Sequence, residues 1–499
     1  MKRLLLCTGL LALECALAAP AGKTPVPVEY FPQFSTFFGE HDPYSNLKIV
    51  TDRKGNIYAA GTTRARDFPT TPGAYQTALK GESDAFVAKF SPEGRLIFST
   101  LIGGSGREHH VALAVDDAGN IFLAGGTGSA DFPVTAGAYE TKHHGGPADW
   151  PFEAYVLKLD ATGNKVLWAT FLGGGAMDGA FALQLDKRGN PVVAGVTKSA
   201  DFPTTPRAFQ RKHSGDVDAY VAKIRSDGRA LLFSTLFGGS GQDFVSDLAL
   251  DASGNVFLSG ASNSPDLPVT ANAIGKRFGG KRVSWGGDGY LAKLSSDGRK
   301  LQYLTYLGAE GDDTITTVAA LRDRIWVAGT TGSARFPVSP DALRSTLSGG
   351  KDVFVAAFHP KSMRLEYATY FGGAREEVTV VLRPLSDGRV VLGGATFSPD
   401  LPVTGGACDS PSGGGKLFLS VLDLRERRVA YSTCFGGGER SYMDMDIDSE
   451  GNVAALGVAD SSTFTPAPGG FRGKPFGQES FVVMRFQQRV LPLKNPANR

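Results

Sequence analysis

Five carboxylates recur at one fixed place in this chain. Glu108, Asp178, Asp243, Asp313 and Glu377 each lie five positions after a glycine that follows an aromatic–x–threonine phrase, and Asp42 stands nearby in a shortened first copy. If that place heads the strand nearest a central axis, the acids encircle a channel mouth and attract a cation or a basic group. Acids from different repeats also suit the two-carboxylate cleavage of a glycosidic bond. The plainer use is a carboxylate that accepts hydrogen bonds from its own loop.

Histidines are the second group with chemical capacity. Of seven, His41, His109, His110, His143, His144 and His213 fall in segments expected on one face, and only His359 does not. Imidazoles beside Glu108 or Asp149 are zinc-ligand types. Yet adjacent histidines point apart on a strand, and no HExxH spacing occurs. No metal and no cofactor is therefore expected. Trp150 and Trp285 lie in the two longest loops, where an indole either makes an interaction site or fills a local core. Cys408 and Cys434 share one repeat, as a disulfide or as two buried thiols. There is no GxSxG elbow, no phosphate-binding glycine loop and no dinucleotide fingerprint.

The elements that must carry these residues repeat about every 65 positions. The aromatic–x–Thr–x–x–Gly phrase occurs at Phe34/Thr36/Gly39, Phe98/Thr100/Gly103, Trp168/Thr170/Gly173, Phe233/Thr235/Gly238, Tyr303/Thr305/Gly308, Tyr367/Thr369/Gly372 and Tyr431/Thr433/Gly436. In the second copy, strands are predicted over 111–115, 121–125, 154–159 and 166–172, with an Asp116…Gly119-Asn120 turn after the first. A glycine recurs seven times on the second strand, from Gly61 to Gly457, where a backbone neighbour leaves no room for a Cβ. The Asp-Phe-Pro segments, such as Asp131-Phe132-Pro133, read as anchors that pin a long loop.

Strands such as Ala85-Phe86-Val87-Ala88 are apolar on both faces, so each sheet is sandwiched between others. The first copy is a fourth strand with no first three, and the last strand, 480–486, is a third with no matching fourth. Pairing the two closes a ring and protects both edges. The expected fold is all-β: a seven-bladed β-propeller of four-stranded antiparallel blades, closed by the N-terminal strand completing the last blade. The expected divisions are 1–18 signal peptide, 19–33 Pro-rich linker, 34–486 propeller and 487–499 tail.

Composition agrees. Glycine supplies 64 of 499 residues, serving turns and close strand packing, and hydrophobic residues make up 42%, enough for a sizeable core. The formal net charge of +2, with no run of five like charges, argues against the clustered basic footprint of a nucleic-acid binder. Lys2 and Arg3, an apolar stretch over 4–17 and Ala16-Leu17-Ala18 fit a cleaved export signal. No later segment is long and apolar enough to span a membrane. A periplasmic, cell-surface or secreted protein is expected, acting as a monomer.

Phe233-Ser234-Thr235-Leu236-Phe237-Gly238-Gly239-Ser240-Gly241-Gln242-Asp243, the Asp251…Gly254-Asn255-Val256-Phe257-Leu258 turn and strand, and Asp201-Phe202-Pro203-Thr204-Thr205-Pro206 resemble the SBBP beta-propeller repeat family. The resemblance implies an exported bacterial propeller and brings no catalytic residue with it. The expected function is a non-catalytic binding or scaffold module that recognises a protein or cell-surface glycan through its long-loop face, with His109, His110, His143, His144, Trp150 and Trp285 as candidate contacts. The alternative is an extracellular hydrolase or lyase using carboxylates and histidines at the channel mouth.

Overall fold

The computed structural model describes residues 28–40, 46–145, 152–281, 286–321, 323–405, 408, 415–438, 442–460, 464, 466–467, 469–476 and 479–490. The export signal, Asp42, Trp150 and Trp285 lie outside the described residues. Within them the chain forms 28 strands and no helix, grouped as seven four-stranded antiparallel sheets. Blade two runs Glu108–Val115, Ile121–Thr127, Glu153–Leu159 and Val166–Leu172 from axis to rim.

Short side-chain bonds set the tight turns. Asp116 Oδ1 accepts from the N–H groups of Ala118 and Asn120 at 3.0 and 2.8 Å, and Gly119 takes φ +85°. Asp52, Asp186, Asp251 and Asp448 repeat the arrangement, as turn chemistry requires.

Each inner strand from blade two to blade six carries a register shift near its start. His110, Phe181, Ser246 and Thr316 are the extra residues in four of them. The glycine on the second strand makes room for this bulge. A Cβ on Gly195, Gly260 or Gly329 would sit 1.8–1.9 Å from the carbonyl oxygen of Gly179, Phe244 or Thr314. The close neighbour is thus the bulged inner strand of the same sheet.

The aromatic–x–Thr phrase lies on the outer strand and does two jobs. Thr170 Oγ1 accepts from Glu140 N at 2.8 Å and donates to Glu140 O at 3.0 Å, stapling the long loop along the strand. Thr100, Thr235, Thr305 and Thr369 do the same. The aromatic reaches into the next blade. Trp168 donates to Ser226 O at 3.0 Å and lies over Gly228, where a Cβ would be 2.5 Å from the indole. Phe34 over Gly94, Phe98 over Gly163 and Phe233 over Gly298 repeat the contact.

The ring closes between its ends. Val28–Glu40 pairs antiparallel with Glu479–Val490, from Val28↔Val490 to Glu40↔Ser480, and completes the sheet of Val453–Asp460 and Met443–Ile447. The paired stretch begins at Val28 and runs to Val490, inside the segments read from sequence as linker and tail. Even the staple is kept: Thr36 Oγ1 accepts from Arg472 N at 2.7 Å, across 436 positions. The described hydrophobic core falls into seven clusters, each shared by neighbouring blades. One of them joins Phe34, Phe38 and Phe481 of the closing blade to Ile49, Phe86 and Phe90 of the first.

Candidate functional site

The five recurrent acids do not form an open ring at the channel mouth. Glu108, Asp178, Asp243, Asp313 and Glu377 are 0–1% exposed. Each turns into the junction with the preceding blade and is met there by an acid from the start of that blade's third strand. The pairs are Asp84 with Glu108, Glu153 with Asp178, Asp218 with Asp243, Asp288 with Asp313 and Asp352 with Glu377. The repeat glycine lies between the two carboxyls. A Cβ on Gly103 would meet Glu108 Oε2 at 2.3 Å and Asp84 Oδ1 at 2.5 Å.

Bonding explains why both acids are kept. Glu108 Oε1 accepts from Thr127 Oγ1 at 2.6 Å and Ser129 Oγ at 2.7 Å, and its Oε2 accepts from Gly104 N at 3.3 Å. Asp84 accepts from Lys80 N at 2.9 Å and Gly81 N at 3.3 Å, and from the Gln76 amide. One acid of each pair holds the interblade turn and the other holds the long loop. Burial, with the neighbouring charge, pushes Glu108 up to about 8, Asp178 to about 7, Asp243 to about 6 and Glu377 to about 7. Two carboxyls facing each other out of water favour one shared proton.

His109 and His110, expected to point apart, instead meet edge to face with ring centroids 4.0 Å apart, because His110 is the extra residue of a bulge; even so, the described residues hold no cluster of three or more metal-ligating side chains. His143 and His213 are equivalents. Each lies 3.2 Å by its Nε2 from the carbonyl oxygen that ends the second strand, Thr127 O and Thr197 O. In blade four the same position is Phe278, packed on a core cluster, so the site is a loop anchor. His144 lies 3.3 Å from Glu153 Oε1. His109 stacks on Phe152 at 5.1 Å. Cys408 and Cys434 are joined by a disulfide, their Cα atoms 5.3 Å apart. It ties the blade-six loop to its outer strand, where blade five uses Tyr370, whose hydroxyl donates to Ser333 O at 2.8 Å.

An axial channel is expected from the sequence; what sequence reasoning missed is the residues that line it. Two cavities of about 580 and 380 Å³ meet at a waist bordered by Lys48, Asp247, Arg383 and Asp444. At the waist Arg383 reaches Asp446 at 3.4 Å and Asp444 at 3.9 Å. Asp444 Oδ2 accepts from Ile49 N at 3.0 Å and Asp446 Oδ2 from Thr51 N at 2.8 Å, so blades six, seven and one are laced together. Asp247 accepts from Leu248 N, Val318 N and Thr317 Oγ1. The smaller cavity lies toward the long-loop rim, and the bulge residues His110, Phe181, Ser246 and Thr316 line it. The second-strand glycine was the available signal for them, since it marks where a bulge must pass.

Residues 232–268 match the SBBP beta-propeller repeat family. Regulatory protein FlaEY of Caulobacter vibrioides is 24% identical over 357 residues, covering 57% of this chain and 36% of the relative. The chain thus matches about a third of that relative's length. Among solved structures, a protein of unknown function from Dyadobacter fermentans is similar with a TM-score of 0.43 and 10% identity, covering 93% of this chain and all of that one. The WD40 domain of Neurospora crassa Pan2 has a TM-score of 0.43 and 11% identity, with 91% and 96% covered.

Proposed function

We propose that this propeller is an exported, non-catalytic binding scaffold that holds a protein partner on its long-loop rim. The observation that carries the reading is the uniform stapling of those loops. In every blade from one to five the outer-strand threonine and the third-strand acid fix the same two points of the loop backbone. Loops ordered before contact lose little freedom on binding, which favours recognition. The acids that would serve a hydrolase are sealed between blades and already accept hydrogen bonds from the turns they hold, which weighs against cleavage chemistry there. A relative named as a regulatory protein is consistent with action through contact.

Lys142, Lys212 and Lys276 stand exposed on the loop rim, and Arg53 and Arg188 on the tight-turn rim. Cross-linked capture from a cell-envelope extract, competed by excess unlabelled chain, tests the assignment. A Lys142→Glu/Lys212→Glu/Lys276→Glu variant is expected to lose about tenfold or more of the competed partner, and an Arg53→Glu/Arg188→Glu variant to retain it. Equal capture by both variants would overturn the assignment of the rim. Recovery of oligosaccharide alone would replace the protein partner with a glycan.

A further inference from the structure

The channel vestibule has features that neither the fold nor the loop rim requires. His110 is the extra residue of a bulge and holds φ +54°, a left-handed conformation that side chains rarely adopt. Its Nδ1 is buried without a hydrogen-bond partner, and burial keeps the imidazole neutral. Strain and an unmet polar atom together call for a functional account. Bulges beside binding sites commonly re-aim a side chain, and here the bulges of four successive blades turn residues toward one cavity.

The polar groups at its floor are unevenly satisfied. Every aspartate at the waist accepts backbone N–H groups, and Asp446 also accepts from Arg383. Lys48 sits among Asp444, Asp247 and Tyr442, which stabilise its charge from a distance. Among the described residues its ammonium has no hydrogen bond and no carboxylate within 4 Å. Of the four charged groups at the base of the vestibule, Lys48, Arg383, Asp247 and Asp444, the lysine ammonium is thus the one without a hydrogen bond among the described residues. Above them the wall is aromatic, with Phe181, Phe244 and Tyr442 around a space of about 380 Å³. That volume lies within the range of small-molecule sites, which combine apolar walls with a few convergent polar groups.

We propose that this vestibule binds a small aromatic carboxylate, its ring held by Phe181, Phe244 and Tyr442 and its carboxylate on the Lys48 ammonium. The neutral His110 imidazole completes the wall as a hydrogen-bonding group. The lining carries two cations and two carboxylates, Asp247 and Asp444, and the choice of an anionic ligand rests on the unbonded Lys48 ammonium, since each carboxylate already accepts a backbone N–H. The site is independent of the partner proposed for the loop rim.

Phenylacetate is a suitable probe, titrated calorimetrically into the full chain. Saturable one-to-one binding is expected with a dissociation constant on the order of 0.1–1 mM, as for a ligand of this size. Acetate and 2-phenylethanol should each bind at least about tenfold more weakly, and phenethylamine should not bind. Lys48→Gln should weaken phenylacetate about tenfold or more. Ser246→Phe, which fills the vestibule without touching the waist charges, should abolish binding and serves if the lysine variant does not fold. No saturation by about 20 mM phenylacetate, a range that would detect even a weak site, would overturn the proposal. So would comparable binding of phenethylamine, or unchanged binding in Ser246→Phe.

Discussion

At the scale of single residues, the junction carboxyls set how stability responds to pH. Glu108 is 1% exposed and pushed up to about 8, chiefly by burial, against about 4.3 for an unfolded glutamate. The folded state therefore holds a proton that the unfolded chain releases. The stabilisation is complete below about pH 4, declines as pH rises, and is gone above about pH 8. Asp178, Asp243 and Glu377 act in the same sense over pH 4 to about 7. Chemical denaturation at pH 6 and pH 8 should show the parent losing more stability than Glu108→Gln, by on the order of 2 kcal/mol. Equal losses would mean that Glu108 is ionised in the fold. The position of these acids was legible in the sequence but their surroundings were not. A five-residue spacing from a glycine locates a strand start and says nothing of which way the side chain turns. The partner acid, Asp84 for Glu108, is distant in sequence and belongs to the neighbouring blade. Lys48 and Asp247 were invisible for a related reason: blade one places lysine and blade four places aspartate at the waist, so no repeated phrase marks them.

At the scale of the element, one outer-strand position is solved three ways. Phe171 packs on Phe132 at 6.3 Å, Tyr306 and Tyr370 bond through their hydroxyls, and Cys434 is bonded covalently to Cys408. All three tether the loop to the same strand. Reduction, or Cys434→Ser, should cost about 3 kcal/mol for a separation of 26 residues. Limited proteolysis should then cut first in blade six, while the blade-five loop held by Tyr370 stays resistant. An unchanged first cut would show that packing alone holds that loop. Strand prediction shows a similar limit. Val166–Leu172 begins and ends where the sequence pattern places it, because it is one apolar run around Thr170 bounded by Asn164-Lys165 and Gly173. The inner strand starts at Glu108, three residues before the expected 111. The apolar run begins only at Val111, after the His110 bulge, and the polar Glu108 and His109 before it give no strand signal.

At the scale of the molecule, the count of incomplete repeats was the strongest guide. A fourth strand without three and a third without a fourth are complementary only in a ring, and the sheet order confirms the pairing. The closing strand also buries Phe34, Phe37 and Phe38 at 0–1% exposure. At about 1.5–3 kcal/mol per buried phenylalanine, those three rings alone stabilise closure by several kcal/mol. Removing 28–40 should therefore lower the melting temperature by about 10 °C or more and expose the edge of Glu479–Val490 to proteolysis. Loss of stability by itself would fit any deletion from a core. A synthetic peptide of residues 28–40 separates the cases, because a propeller lacking one edge strand presents a template of matching register. The peptide should restore protease resistance at one molar equivalent, and a version with Phe34, Phe37 and Phe38 replaced by serine should not. If the truncated chain keeps the parent's melting temperature, or the serine peptide rescues equally, the terminal strand is not what holds the ring shut.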